Sequence, residues 1–222
     1  MPSDIGPAAR DYPNANFIVY HSAIGAGSAF SALSAFTGSA TENVPFDPND
    51  PNPKGTNSLI KSVLDAGIGP GGNVYAELGS AWSNVMMDTV AAQHFIGKLL
   101  KYFGEDNIVW GTDCILSGSP QSQIEAFRLF NITQEYQELY GYPALTKEIK
   151  TKIFGLNAAR IYGIDPDLRR CKLQKDSFAM HRQHLDGEYG PRRHTVQPPL
   201  GPTDRRSFLL MARKSIAQGR PG

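Results

Sequence analysis

Three short apolar runs share one grammar along the first 118 residues. They are "NFIVYHSAIG" (16–25), "GNVYAELGSAW" (72–82) and "NIVWGTDCILSG" (107–118). Each is rich in β-branched and aromatic residues, breaks off at a polar side chain, and runs into a loop of small residues. That pattern predicts strands near 16–21, 73–78 and 107–112. The polar side chains at the strand ends are His21, Glu77 and Asp113.

Between and after these runs the period changes. "NSLIKSVLDAG" (57–67) places Leu59, Ile60, Val63 and Leu64 on one helical face. "MDTVAAQHFIGKLLKYFG" (87–104) does so with Val90, Ala91, His94, Phe95 and Leu99. "SPQSQIEAFRLF" (119–130) opens with Ser119 as a cap and Pro120 at the first helical position. "LTKEIKTKIFGLNAARIYGI" (145–164) starts from a Thr146 cap, with a stripe of Ile149, Ile153, Leu156 and Ile161 that Gly155 weakens. Strand–helix alternation predicts parallel pairing in an α/β protein. It leaves two architectures, an open doubly wound sheet or a (β/α) barrel. The connection 25–56 is rich in Gly, Ser, Pro, Asn and Asp. Following His21, it reads either as a pocket wall or as a surface insertion.

Composition narrows the class. The 222 residues are 41% hydrophobic and 19% charged, as in a globular chain. The net charge of +1 hides an asymmetry. Residues 1–164 hold 10 basic and 15 acidic side chains, and residues 165–222 hold 12 and 6. The expected organisation is therefore a body over 1–165 and a basic C-terminal extension over 166–222. Two cysteines, Cys114 and Cys171, suit reduced thiols rather than a disulfide scaffold. No apolar run is long enough for a membrane span, and no secretory leader opens the chain. The expected setting is cytoplasmic, without nucleic-acid or membrane partners. "RRSFLLMARK" (205–214) imitates a twin-arginine signal but lies near the C-terminus. The sequon at Asn131 carries meaning only on a secreted chain.

Chemistry concentrates at the strand ends. Sites in both α/β architectures form at the C-terminal ends of strands. Alternation places His21 on the face of Phe17 and Val19, and Asp113 on the face of Val109 and Gly111. A histidine with carboxylates there suits a divalent metal or acid/base work. Other candidates fall away. "GIGPGG" imitates a dinucleotide fingerprint but ends a helix and precedes a strand. Cys114 should point away from Asp113 as a packing residue. His94 sits in a helical apolar stripe. Cys171, His181, His184 and His194 match no zinc spacing.

Together, "NFIVYHSAIG", "NVYAELGS", "NIVWGTDCILSGSPQSQIEAFRLF" and "IFGLNAARIYGI" resemble the C-terminal part of an amidohydrolase-related protein, over roughly residues 10–165. The G-T-D ending at Asp113 and the N-A-A-R of residues 157–160 are the most specific pieces. The resemblance implies a partial (β/α)8 barrel made of its last three strand–helix units. It implies metal-dependent hydrolysis of a C–N or C–O bond in a small-molecule substrate, with a divalent metal such as Zn²⁺, or decarboxylation on the same scaffold. It places Asp113 at the metal centre, as ligand or acid/base. It places His21 at the same centre and gives Glu77 a place in the substrate pocket. The family's His-x-His pair on the first strand and its further His or Lys have no counterpart, since only His21 and His94 precede residue 165. The expectation is thus an incomplete enzyme, inactive as an isolated chain, or a non-catalytic module. Either would pair with a missing N-terminal half or with another copy of itself.

Overall fold

The structure, a computed structural model, describes residues 2–24, 42–114, 120–169 and 177–189. A short helical turn (Pro2–Asp4) leads into α1 (Ile5–Asp11) and then β1 (Phe17–Val19). Next come α2 (Thr56–Asp65), β2 (Val74–Glu77), α3 (Gly79–Val85) and α4 (Thr89–Tyr102). β3 (Ile108–Val109) precedes α5 (Gln121–Leu129) and α6 (Gln134–Tyr140). The chain continues through α7 (Lys147–Thr151), a π-helical turn (Lys152–Leu156) and α8 (Asn157–Ile161). α9 (Pro166–Arg169) and α10 (Ser177–Tyr189) close the described part.

The three strands form one parallel sheet in the order β1-β2-β3. Phe17 pairs with Val74, Ile18 with Tyr75 and Val19 with Ala76; Ala76 pairs with Ile108 and Glu77 with Val109. Among the described residues this sheet is not closed into a barrel. Consecutive parallel strands need crossovers, which α2 supplies before β2, and α3 with α4 before β3. The strands are shorter than their apolar runs, because the chain leaves the ladder at Val19 and Val109 to make the site.

One buried cluster unites sheet and helices. It includes Val74, Ala76 and Ile108 from the sheet, Leu59, Ile60 and Val63 from α2, and Phe95, Ile96 and Leu99 from α4. Each of the Val, Leu, Ile and Phe side chains among them contributes about 1.5–3 kcal/mol of burial. α4 begins at an Asp88 cap, whose carboxylate accepts the Val90 and Ala91 N–H groups. Residues 91–100 of this helix are buried without a break. Its polar members therefore need partners inside. Gln93 accepts the Thr133 N–H, His94 meets the Tyr142 hydroxyl, and Lys98 meets Glu42 and Asn57.

Three stripe residues depart from expectation. Leu64, Val90 and Leu156 are exposed. At Leu156 the cause is the π-helical turn containing Gly155, which rotates the stripe after Ile153. Pro120 caps α5 rather than opening it, and Ser119 lies outside the described residues. So do residues 25–41 of the long connection, Cys171, His194 and the segment 205–214. Among the described residues no helix is long and apolar enough to cross a membrane.

Candidate functional site

Beyond Val19 the chain turns sharply. His21, Ser22 and Ala23 all take left-handed backbone angles, with φ of 53°, 49° and 63°. Three consecutive non-glycine residues in that region are strained and persist only when neighbours over-determine them. The neighbours are on β2. The Glu77 carboxylate (Oε2) accepts the His21 N–H at 2.8 Å, and the Ser22 hydroxyl donates to the Glu77 carbonyl at 2.9 Å. His21 thus reaches its position through this turn, not through strand alternation as its place in the apolar run suggests.

Asp113 is also left-handed, at φ 49°. It stands four residues past β3. Gln123 from α5 donates to the Thr112 carbonyl at 3.0 Å, and the Thr112 hydroxyl accepts the Cys114 N–H. These contacts hold the kink on either side of the acid. The result is a short pair: His21 Nε2 lies 2.6 Å from Asp113 Oδ2. The same carboxylate oxygen accepts the Ser80 N–H at 2.9 Å, at the start of α3. Both partners are about a quarter to a third exposed, 34% for His21 and 25% for Asp113. The pair therefore faces solvent while its backbone is anchored in the interior.

Glu77 lies beneath it and is buried. Burial pushes its carboxyl above the usual range, against the lowering effect of the His21 N–H and His21 charge. Two glycines make room for it. A Cβ at Gly111 would fall 1.7 Å from Glu77 Oε1, and one at Gly79 would meet both the His21 ring and Glu77. The sheet thus brings His21, Glu77 and Asp113 together at one end. Only His21 and Asp113 present side chains outward.

Ser80 completes an apparent Ser–His–Asp set that the sequence pattern did not single out, although Gly79-Ser80 directly follows the strand-end Glu77. The geometry is not that of an activated nucleophile. Ser80 Oγ is 3.3 Å from His21 Nδ1 and 3.4 Å from Nε2. An atom equidistant from both ring nitrogens lies along neither lone pair, so the histidine is not aligned to take its proton.

Among the described residues no group of three or more His, Cys, Asp and Glu side chains is arranged to hold a metal ion. His21 and Asp113 are two donors engaged with each other, and a catalytic zinc takes three protein ligands plus an open position. The residues at this site do not fit a zinc ion by themselves. His181 and His184 on α10 are exposed, with His184 beside Glu188 at 3.6 Å.

A sheet with acid/base side chains at its carboxyl edge defines the class only as an α/β protein with a strand-end site. Comparison adds a likeness: residues 70–164, 95 of the 222, match the amidohydrolase family model. Glu77, Ser80, Asp113 and the N-A-A-R residues lie inside the match, and His21 lies before it. No curated protein and no solved structure matches the chain.

Proposed function

We propose that residues 1–165 are the last three strand–helix units of a (β/α)8 hydrolase of the amidohydrolase superfamily, followed by a basic extension. The substrate class is a small molecule with a C–N or C–O bond open to hydrolysis. The observation that carries this reading is the 2.6 Å His21–Asp113 contact at the carboxyl end of a parallel sheet, its acid inside the segment that matches the amidohydrolase family model. In that pair Asp113 fixes the imidazole by accepting from Nε2. The imidazole, held in place by the carboxylate, is the group that would pass a proton to or from the substrate. Glu77 organises the turn from below.

The zinc that the resemblance implies needs donors beyond the His21–Asp113 pair. The missing third donor favours a second reading, a non-catalytic module of the same partial barrel. One experiment separates the two. The chain is co-expressed with strands one to five of an amidohydrolase barrel carrying its His-x-His pair. A complex that holds zinc and hydrolyses an amide, ester or lactone panel, with both lost in Asp113→Ala and turnover lost in His21→Ala, supports the hydrolase. A complex whose zinc content and turnover ignore Asp113 overturns it.

A further inference from the structure

Deep in the interior, Lys98 of α4 and Glu42 are both fully buried, with Nζ 2.9 Å from Glu42 Oε2. Lys98 also donates to Asn57 Oδ1 at 2.8 Å. The other Glu42 oxygen, Oε1, accepts the Thr56 N–H at 3.1 Å, the first amide of α2. Thr56 in turn donates its hydroxyl to the Ser22 carbonyl at 3.1 Å. Ser22 is the middle residue of the left-handed turn that carries His21. From there the chain of bonds runs through the Ser22 hydroxyl to the Glu77 carbonyl, and from the Glu77 carboxylate to the His21 N–H.

We propose that Glu42, Lys98 and Thr56 form a positioning relay that clamps the 21–23 turn and so holds His21 against Asp113. This rests on the reading of that pair as the acid/base centre. Two facts favour a positioning role over packing alone. A buried ion pair contributes little net stability compared with apolar residues of the same volume. A run of strained φ values needs opposing contacts on its backbone. The relay supplies such a contact from one side, at the Ser22 carbonyl, while Glu77 supplies the His21 N–H contact from the other. Glu42 also places its carboxylate where the N-terminal amide of α2 favours negative charge. This fixes Thr56 at the point from which its hydroxyl reaches the turn.

The test reads geometry in the full chain by ¹⁵N–¹H correlation of the histidine rings, with His94 as internal control. Asp113→Ala, which removes the acceptor of His21 Nε2, sets the displacement of the His21 ring nitrogens expected when the pair is broken. Thr56→Val, folded by circular dichroism, should displace the His21 resonances the same way and leave those of His94 in place. Thr56→Ser should restore them. A folded Thr56→Val with wild-type His21 resonances overturns the proposal. If Thr56→Val does not fold, the paired variant Glu42→Leu/Lys98→Met decides by the His21 resonances alone, since the Lys98 charge also acts on His94. Failure of both to fold makes the relay a determinant of the fold and overturns its positioning role. Hydrolysis is not part of the readout, so an inactive reconstituted barrel would sink the hydrolase reading and leave the relay standing.

Discussion

His94 shows how one residue's surroundings set a measurable property. It is buried on α4, with Nδ1 2.9 Å from the Tyr142 hydroxyl and the rings of Tyr136 and Tyr140 against its own. Burial, with the Lys98 charge one turn away, lowers its pKa to about 4. A folded-state value below the unfolded one gives stability that is present above the unfolded pKa and lost as pH falls towards 4. The expected loss between about pH 7 and pH 4.5 is on the order of 2 kcal/mol. Glu77 works in the opposite sense. Its raised carboxyl favours the fold at low pH and gives that up as pH rises through its folded value. Urea titrations should therefore show acid destabilisation that flattens in His94→Gln; an unchanged slope would refute the assignment. Gly111 makes a second residue-scale test. A methyl group there overlaps Glu77 Oε1, so Gly111→Ala should cost about 2 kcal/mol, read from the urea midpoint. It should also release the His21 N–H from its acceptor. Strand-end polarity made His21, Glu77 and Asp113 visible in the sequence. The left-handed turn at 21–23 was not visible, because its support comes from residues more than thirty positions away.

At the scale of elements, the N-A-A-R stretch has a physical task. Asn157 at the start of α8 is buried, and its Nδ2 donates to the Glu105 carbonyl at 2.8 Å and the Ile108 carbonyl at 2.7 Å. Arg160 reaches Asp106 from the surface. The motif fastens the last helical segment to the start of β3, and so fixes the strand that leads to Asp113. The two residues should differ in weight. Asn157→Ala leaves a buried carbonyl without its donor and should cost about 2–3 kcal/mol. Arg160→Ala removes an exposed contact and should cost less than about 1 kcal/mol. Equal costs by chemical denaturation would mean that Asn157 is not the fastening. The strands and the helices around α2, α4 and α7 were legible from periodicity, and the Thr146 cap from its residue type. The π-helical turn was not, since Gly155 signals weakness without its direction. Neither was the unbroken burial of α4. Its polar residues Gln93 and Lys98 fall outside the apolar stripe and look like an outward face until partners remote in sequence cover them.

For the whole molecule, the sheet's edges decide behaviour in solution. β2 is buried throughout, whereas all three residues of β1 are only partly buried. On the β3 side, Asn157 already occupies the Ile108 carbonyl. β1 is thus the more accessible pairing edge. Phe17 N–H bonds to Asn73 on the β2 side, so alternation turns the Ile18 N–H outward. An exposed parallel edge is a template for another strand. The purified chain should self-associate with rising concentration in size-exclusion chromatography. Ile18→Pro removes the outward donor and leaves the β2 ladder intact, so it should shift the equilibrium towards monomer without loss of helicity. The same preparation should hold zinc well below one equivalent, because His21 and Asp113 are one donor short of a catalytic site. Elemental analysis checks this. Stoichiometric zinc in a monomer, lost in Asp113→Ala, would show that a third donor lies within the chain itself, and would turn attention to His181, His184 and His194.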